Sequence, residues 1–163
     1  MTEPTGRRFG LLRVAFDQAL AAILEQVGPR HPDLRQAHVQ IFRYGGIDGS
    51  NAGELAAHAG MTKQSMHELV THLERAGYLQ RRPDPSDTRV RTVRLTAKGR
   101  RLEQELHEAI ATVLEDWERR IGKRRFDQLW TTLQELTGEH GELPGPAEIR
   151  AASRTSGGRT APR

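Results

Sequence analysis

The chain has 163 residues, of which 36% are hydrophobic and 28% are charged, with a net charge of +4. This length suits a single domain with a real core and is short for a two-domain enzyme, while the high charged content leaves much surface facing solvent or another chain. The sequence has no cysteine and no apolar run long enough to cross a bilayer, which excludes a disulfide framework and a thiol switch and predicts a soluble cytoplasmic protein.

Two helices are predicted at the start of the chain. Apolar residues between positions 9 and 27 recur at steps of three and four, which gives one apolar helical face. The prolines and glycine of "GPRHPD" (28–33) end that helix. A second helix is predicted over 34–44, and the "GIDGSN" that follows is a turn with room for a very short strand.

Two short helices separated by a tight turn are predicted next. Asn51 and Glu54 have the spacing of a capping box, which opens the helix "AGELAAHA", and Gly60 closes it. Thr62 is the next good N-cap. One buried stripe follows it, formed by Met66, Leu69, Val70 and Leu73. This pair of helices is a helix-turn-helix candidate.

A β-hairpin and two more helices complete the predicted order. Residues 78–82 and 90–95 are strand-like and are separated by "PDPSDT", which suits a turn longer than a tight hairpin loop. Thr96 then caps a long helix, Gly122 breaks it, and a last amphipathic helix follows. The segment 144–163 has almost nothing to bury, so we expect a disordered tail.

The outward face of the second short helix carries polar groups of the kinds that read base edges. Gln64, Glu68, Thr71 and Arg75 point directly away from the apolar stripe, flanked by Lys63, Ser65 and His67. An ordinary solvated helix face explains this helix alone equally well.

The hairpin favours nucleic acid over that alternative. Between positions 60 and 101 there are ten basic and four acidic residues, and Arg89, Arg91 and Arg94 follow the hairpin turn. Such arginines can reach phosphates, and one at the tip can enter a narrow minor groove. Asp87, two residues before Arg89, can hold that guanidinium by a charge-assisted hydrogen bond. The alternative is a surface ion pair of little energetic value.

The run "GELAAHAGMTKQSMHELVTHLERAGYLQRRPDPSDTRVRTVRLTAKGRRL" (53–102) closely resembles the MarR family of bacterial winged helix-turn-helix transcriptional regulators. The motifs "ELA…G", "LE..GYL.R", "DPSDTR" and "LTAKG" occur in the family's order and spacing. The resemblance implies a mainly α fold with a small β-hairpin wing, in which a winged helix-turn-helix domain is joined to a helical dimerisation region.

The resemblance also implies a division of the chain and a DNA-binding surface. Residues 7–44 and 97–141 would form the dimerisation and support helices around a winged region at 45–96. A recognition helix would enter the major groove and the wing would cover the minor groove, with the family's wing acid and arginine at Asp87 and Arg89. The predicted DNA-binding residues are Thr62, Lys63, Gln64, Ser65, His67, Glu68, Thr71, Arg82, Asp87, Arg89 and Arg91.

The sequence lacks the residues of two kinds of sensing site that occur in the family. Peroxide sensing through cysteine is excluded, and the spacing of Glu103 and His107 on one helix is common by chance, so no metal site is predicted. His38 and Phe42, with Phe16, could line the cleft where family members bind small aromatic or phenolic anions. Packing of the second helix is the simpler interpretation of these residues.

No nucleophile elbow, phosphate-binding glycine loop or metalloprotease signature is present, so neither an enzyme nor a cofactor is expected. The sequence predicts a nucleoid-associated regulator, a repressor in its simplest form, which binds a pseudo-palindromic duplex operator as a homodimer and is modulated by a small ligand. The alternative is a winged-helix module whose basic hairpin meets an acidic protein. Salt dependence and sequence discrimination of DNA binding separate the two.

Overall fold

The computed structural model describes residues 5–43 and 47–137, without the side chains of residues 5–9, 40, 43 and 58. Its elements are α1 (Thr5–Val27), a 3-10 turn (Gly28–Arg30), α2 (Gln36–Arg43), α3 (Ala52–Ala59), α4 (Lys63–Arg75), β1 (Leu79–Pro83), β2 (Arg91–Leu95), α5 (Ala97–Ile121) and α6 (Lys123–Thr137). The predicted fold class, mainly α with one β-hairpin, is confirmed.

The helix ends follow the local signals in the sequence. The Asn51 side chain accepts from the backbone N–H groups of Gly53 and Glu54, and the Glu54 carboxylate accepts from the N–H of Asn51, which completes the predicted capping box. Thr62 caps α4 and Thr96 caps α5 through their side-chain oxygens. These caps are confirmed, and they fix where the recognition helix candidate and the long helix begin.

Several element boundaries differ from the prediction by one to four residues, and two of them differ because short turns intervene. Helix α2 begins at Gln36 rather than at residue 34, since the Leu34 N–H donates to the His31 carbonyl in a separate turn. Strand β1 begins at Leu79 rather than at residue 78, since the Tyr78 N–H donates to the Leu73 carbonyl and so extends the end of α4.

One buried core joins the helices to the hairpin. Side chains from α1, α2, α3, α4, both strands and α5 contribute to it, and Met66, Val70 and Leu73 form the buried face of α4, with Leu69 half-buried beside them. Tyr78 is fully buried where α4 meets β1. The recognition helix candidate and the hairpin therefore rest on the same core.

A third segment of the chain forms backbone hydrogen bonds with the hairpin. Strands β1 and β2 are antiparallel, with Leu79 opposite Leu95 and Pro83 opposite Arg91. The Gly49 N–H donates to the Val93 carbonyl at 2.7 Å, and the Val93 N–H donates to the Ser50 carbonyl at 2.8 Å. This pairing lies in the segment where the sequence allowed a very short strand, and it ties β2 to the start of α3.

Within the described residues, no helix is both long enough and apolar enough to span a membrane. The tail prediction for 144–163 falls outside the described part of the chain. The division at 7–44, 45–96, 97–141 and 144–163 stays a prediction.

Candidate nucleic-acid interface

The outer face of α4 is polar and open. Lys63, Gln64, His67 and Glu68 are exposed, and Ser65 and Thr71 are half-buried at its margins. Six of the predicted DNA-binding residues are thus on one helix, turned away from its buried stripe. Because the face begins at the capped N-terminus of α4, the cap fixes the backbone of its first turn, which carries Lys63, Gln64 and Ser65.

Hydrogen bonds organise part of this face and leave part of it free. The Thr62 hydroxyl accepts from the Ser65 N–H at 3.1 Å and donates to the Ser65 hydroxyl at 2.9 Å. Gln64 donates to Glu68 at 3.3 Å across one helical turn. Within the described structure, the side chains of Lys63 and His67 have no hydrogen-bond partner, so both are available to a ligand.

The hairpin has two parts, which we call the hairpin base (β1 and β2) and the hairpin tip (residues 84–90). Arg89 in the tip and Arg82 and Arg91 in the base are exposed. Arg82 donates to the side chain of its neighbour Gln80 at 3.0 Å. Among the described residues, none of these three arginines forms an ion pair, so the hairpin presents uncompensated positive charge.

Asp87 shapes the hairpin tip through the backbone. Its carboxylate accepts from the Arg89 N–H at 3.0 Å, and its carbonyl accepts from the Val90 N–H at 2.9 Å. In the described chain it forms no contact with the Arg89 guanidinium, which is a different arrangement from the predicted charge-assisted bond. The reason is local geometry, since an Asp readily bonds the backbone two residues ahead and closes a turn.

Two residues that the sequence interpretation left out join the hairpin base to α4. The Arg81 backbone N–H donates to the Glu74 carboxylate at 3.0 Å, and the Arg81 guanidinium forms a close ion pair with the same carboxylate. The guanidinium also donates to the Thr71 hydroxyl at 3.0 Å. Helical and strand periodicity carry no signal for this contact, because it crosses from one element to the next around Gly77.

A second polar network lies beneath the hairpin base. The buried His31 ring shares hydrogen bonds with the Tyr78 hydroxyl at 3.0 Å and the Glu105 carboxylate at 3.1 Å. The hydrogen bond from Arg30, followed by that from His31, outweighs desolvation and lowers the pKa of Glu105. Lys98 lies 4.1 Å from the Tyr78 ring centroid, a cation–π contact. These contacts connect the chain between α1 and α2 to α5 and the hairpin.

The predicted ligand residues pack in the core. His38 and Phe42 are buried and Phe16 is half-buried, as the packing interpretation expects. The His38 ring stacks on His72 with centroids 4.6 Å apart, and its Nδ1 accepts from the Arg35 N–H. Burial, then the charges of His72 and Arg35, lower the pKa of His38 from 6.5 to about 4. The ring is therefore neutral at ordinary pH.

The described residues contain a groove between α1 and α5 but no metal-binding cluster. The groove has a volume of about 280 Å³ and is lined in part by Gln18, Ala22, Val113 and Trp117. His38, Phe42 and Phe16 do not line it. No group of three or more His, Asp or Glu side chains in the described chain could hold a metal ion, and His107 is exposed beside half-buried Glu103.

Known proteins match this chain in sequence. The model of the MarR family matches residues 33–90. The uncharacterized HTH-type transcriptional regulator YcgE of Bacillus subtilis (strain 168) is 38% identical over 97 residues, which are 59% of this chain. The chain spans 58% of the length of that relative.

Solved structures match the fold over most of its length. CouR from Rhodococcus jostii RHA1, bound to p-coumaroyl-CoA, is 25% identical with a TM-score of 0.66 and covers 83% of this chain and 95% of its own. The transcriptional regulator Tm0710 from Thermotoga maritima is 26% identical with a TM-score of 0.55, covering 82% and 94%. With its capped helix pair, its hairpin and these matches, the chain resembles the MarR family of winged helix-turn-helix proteins, and the match to the family model lies over residues 33–90.

Proposed function

We propose that this chain is a transcriptional regulator that binds duplex DNA as a homodimer, with α4 in the major groove and the hairpin tip at the minor groove. Repression of a pseudo-palindromic operator is the simplest form of this activity. The relative YcgE carries the name of an HTH-type transcriptional regulator, which supports the regulatory part of the proposal.

One observation carries the DNA-binding part: exposed cations that have no ion-pair partner among the described residues lie on two neighbouring elements. Lys63 begins α4, and Arg89 and Arg91 lie on the hairpin that follows it. Phosphate contacts by such cations supply most non-specific affinity, and Gln64, His67 and Glu68 supply donors and acceptors for base edges. A surface that combines such cations with groups that can bind base edges suits a duplex better than an acidic protein, which needs the cations alone.

The dimer is supported by apolar side chains that the core of one chain leaves uncovered. Leu11 and Leu12 on α1 and Leu136 on α6 are 57%, 61% and 77% exposed. Among the described residues, α6 contributes none to the buried core; its Phe126 and Trp130 pack edge to face with centroids 5.8 Å apart. A second copy that covers α1 and α6 would bury this surface and place two copies of α4 on one duplex.

A small aromatic or phenolic anion is the proposed effector. CouR, the relative of similar fold, is described as bound to p-coumaroyl-CoA, which contains a phenolic ring. A ligand changes DNA affinity only if it prefers one of two conformations. We expect salicylate or a related anion to raise the melting temperature of the protein and to weaken its binding to the operator. The absence of both effects across a panel of such anions would exclude this class of effector.

Selection of bound sequences from a random duplex pool tests the proposal most economically. We expect a two-fold symmetric winner, and a fall in its affinity with rising salt that is steep enough to indicate several phosphate contacts. Sedimentation at micromolar concentration should give the mass of two chains. A monomeric mass with unchanged helicity would contradict the dimer.

The protein-interaction alternative predicts a different outcome from the same selection. A winged helix that binds an acidic protein would retain some affinity for any duplex through its basic hairpin, but it would enrich no sequence. Equal, weak binding to all members of the pool would therefore favour a protein-interaction module over a transcriptional regulator.

A further inference from the structure

Two adjacent arginines on β1 have opposite environments. The Arg81 side chain is 21% exposed and is bound to α4, whereas the side chain of Arg82 is exposed and, among the described residues, is bound only to Gln80. Both residues add to the positive charge counted in the sequence. Only Arg82 can give its charge freely to a phosphate, because Arg81 is already neutralised by Glu74.

The contacts of Arg81 extend along two turns of α4. Its guanidinium donates to the His67 carbonyl at 3.4 Å and to the Thr71 hydroxyl at 3.0 Å, and it pairs with the Glu74 carboxylate. These three partners lie four and then three residues apart, so they share one side of the helix. A single side chain thus binds the hairpin base along the flank of the recognition helix.

The chemistry of this contact requires arginine. The planar guanidinium offers five N–H donors in a fixed fork and can serve three acceptors at once, whereas a lysine ammonium is a flexible point charge. The Arg81 backbone N–H also donates to Glu74, so one carboxylate holds both the main chain and the side chain of β1. These two interactions with Glu74, one from the backbone and one from the side chain, fix the position of the strand as well as that of the guanidinium.

We propose that Arg81 is a positioning residue, which fixes the hairpin tip relative to α4 so that Arg89 and the recognition helix engage DNA as one rigid unit. The proposal rests on the proposed function above. Within the tip, the Asp84 N–H donates to the Val90 carbonyl, and Asp87 accepts from the N–H groups of Arg89 and Val90. The placement of the base on α4 therefore determines where Arg89 is presented.

A double-mutant cycle on the selected operator tests this coupling. In the full-length parent protein, Arg89→Ala should reduce affinity on the order of ten-fold. In an Arg81→Lys background, the same change should reduce it about three-fold or less, because a loosely placed tip has already lost most of its groove contact. The matched control, Arg82→Lys, should leave the full effect of Arg89→Ala. Additive effects of Arg81→Lys and Arg89→Ala would overturn the proposal.

A second variant keeps the test decisive if Arg81→Lys unfolds the protein. Glu74→Gln preserves the size of the side chain and an acceptor for the Arg81 N–H, but removes the charge that holds the guanidinium. We expect a folded protein, judged by circular dichroism, with the same reduced effect of Arg89→Ala. Full retention of that effect in folded Glu74→Gln would also contradict the proposal.

A DNA-free measurement separates this proposal from the proposed function. Since the chain has no cysteine, spin labels can be placed at Thr88→Cys in the tip and Glu68→Cys on α4, with labelled chains diluted into excess unlabelled protein. Pulsed dipolar EPR should give a narrow distance distribution that broadens with Glu74→Gln or Arg81→Lys and not with Arg82→Lys. If the parent binds no duplex, the regulator proposal fails, but the width of the distance distribution still tests the role of Arg81. A width that is unchanged in Glu74→Gln and Arg81→Lys would reject Arg81 as a positioning residue.

Discussion

The hairpin base and the hairpin tip belong to one hairpin, but different interactions hold them. The base is bound to three neighbours: to α4 through Arg81, to the segment before α3 through Gly49 and Ser50, and to the first turn of α5 through the Arg100 guanidinium, which donates to the Leu95 carbonyl at 3.0 Å. The tip relies on short-range turns. The base therefore sets the position of the hairpin and the tip presents its DNA-binding groups, so stability and binding should respond to different substitutions.

The largest stability effect is expected where the base meets α5. A Cβ added at Gly99 would lie 2.1 Å from the Tyr78 carbonyl oxygen, which is backbone and cannot rotate away. Gly99→Ala should therefore lower the free energy of unfolding by about 3 kcal/mol or more, measured by chemical denaturation.

The control for that substitution is Gly10→Ala on α1. An added Cβ at Gly10 meets nothing within 4 Å, so the same chemical change should be neutral or should stabilise by about 0.5–1 kcal/mol, as in an open helix position. Equal stability of Gly99→Ala and the parent would show that the hairpin base is not packed as closely on α5 as described.

The support beneath α4 should show a pH dependence. Burial lowers the pKa of His38 to about 4, so the folded state favours the neutral ring. This contribution is complete above the unfolded pKa of 6.5 and is lost as pH falls towards 4, because the unfolded chain binds the proton first. We expect a loss on the order of 2–3 kcal/mol over that range.

His38→Asn removes the titration while keeping an acceptor for the Arg35 N–H. Chemical denaturation at several pH values between 7 and 4 should give a shallower fall for this variant than for the parent. Parallel curves for the two proteins would show that His38 does not titrate between the folded and unfolded states.

A smaller effect is expected at the far side of the base. The Asp48 carboxylate accepts from the Leu95 N–H at 3.0 Å and lies 4.0 Å from the Arg94 guanidinium. Because Asp48 is exposed, its replacement by Ala should cost about 1 kcal/mol. Asp48→Asn, which retains an acceptor, should recover most of this in a thermal melt; equal losses in the two variants would assign the effect to charge instead.

The smallest effect on stability is expected in the tip, at Asp87. There the direction of the change in DNA affinity distinguishes two explanations. Asp87→Ala should change unfolding by less than about 0.5 kcal/mol, as at other exposed sites. Electrostatics alone predicts tighter DNA binding on loss of an acid. Loss of the bond from the Arg89 N–H predicts weaker binding, since the turn that presents Arg89 must then be ordered on association. We expect several-fold weaker binding at fixed salt.

Local signals predicted much of the fold, and long-range contacts account for what they missed. The helix starts were predictable because an N-cap side chain bonds a backbone N–H only two or three residues ahead. The caps at Asn51 (with Glu54), Thr62 and Thr96 are of this kind. The Glu74–Arg81 pair and the His31 network join different elements, and neither leaves a periodic pattern in the sequence. The exposed α4 face followed from its apolar stripe, whereas the backbone bond of Asp87 depended on a turn geometry that the spacing to Arg89 alone did not specify.

The affinity of Arg89→Ala for the selected operator, at fixed salt and beside Arg89→Lys, tests the central claim most directly. Arg89 is exposed and unpaired among the described residues, so its removal should leave the melting temperature unchanged. We predict a loss on the order of 1–3 kcal/mol for Ala and a partial loss for Lys, which keeps the charge but not the fork. Unchanged affinity of Arg89→Ala would contradict a wing that binds DNA.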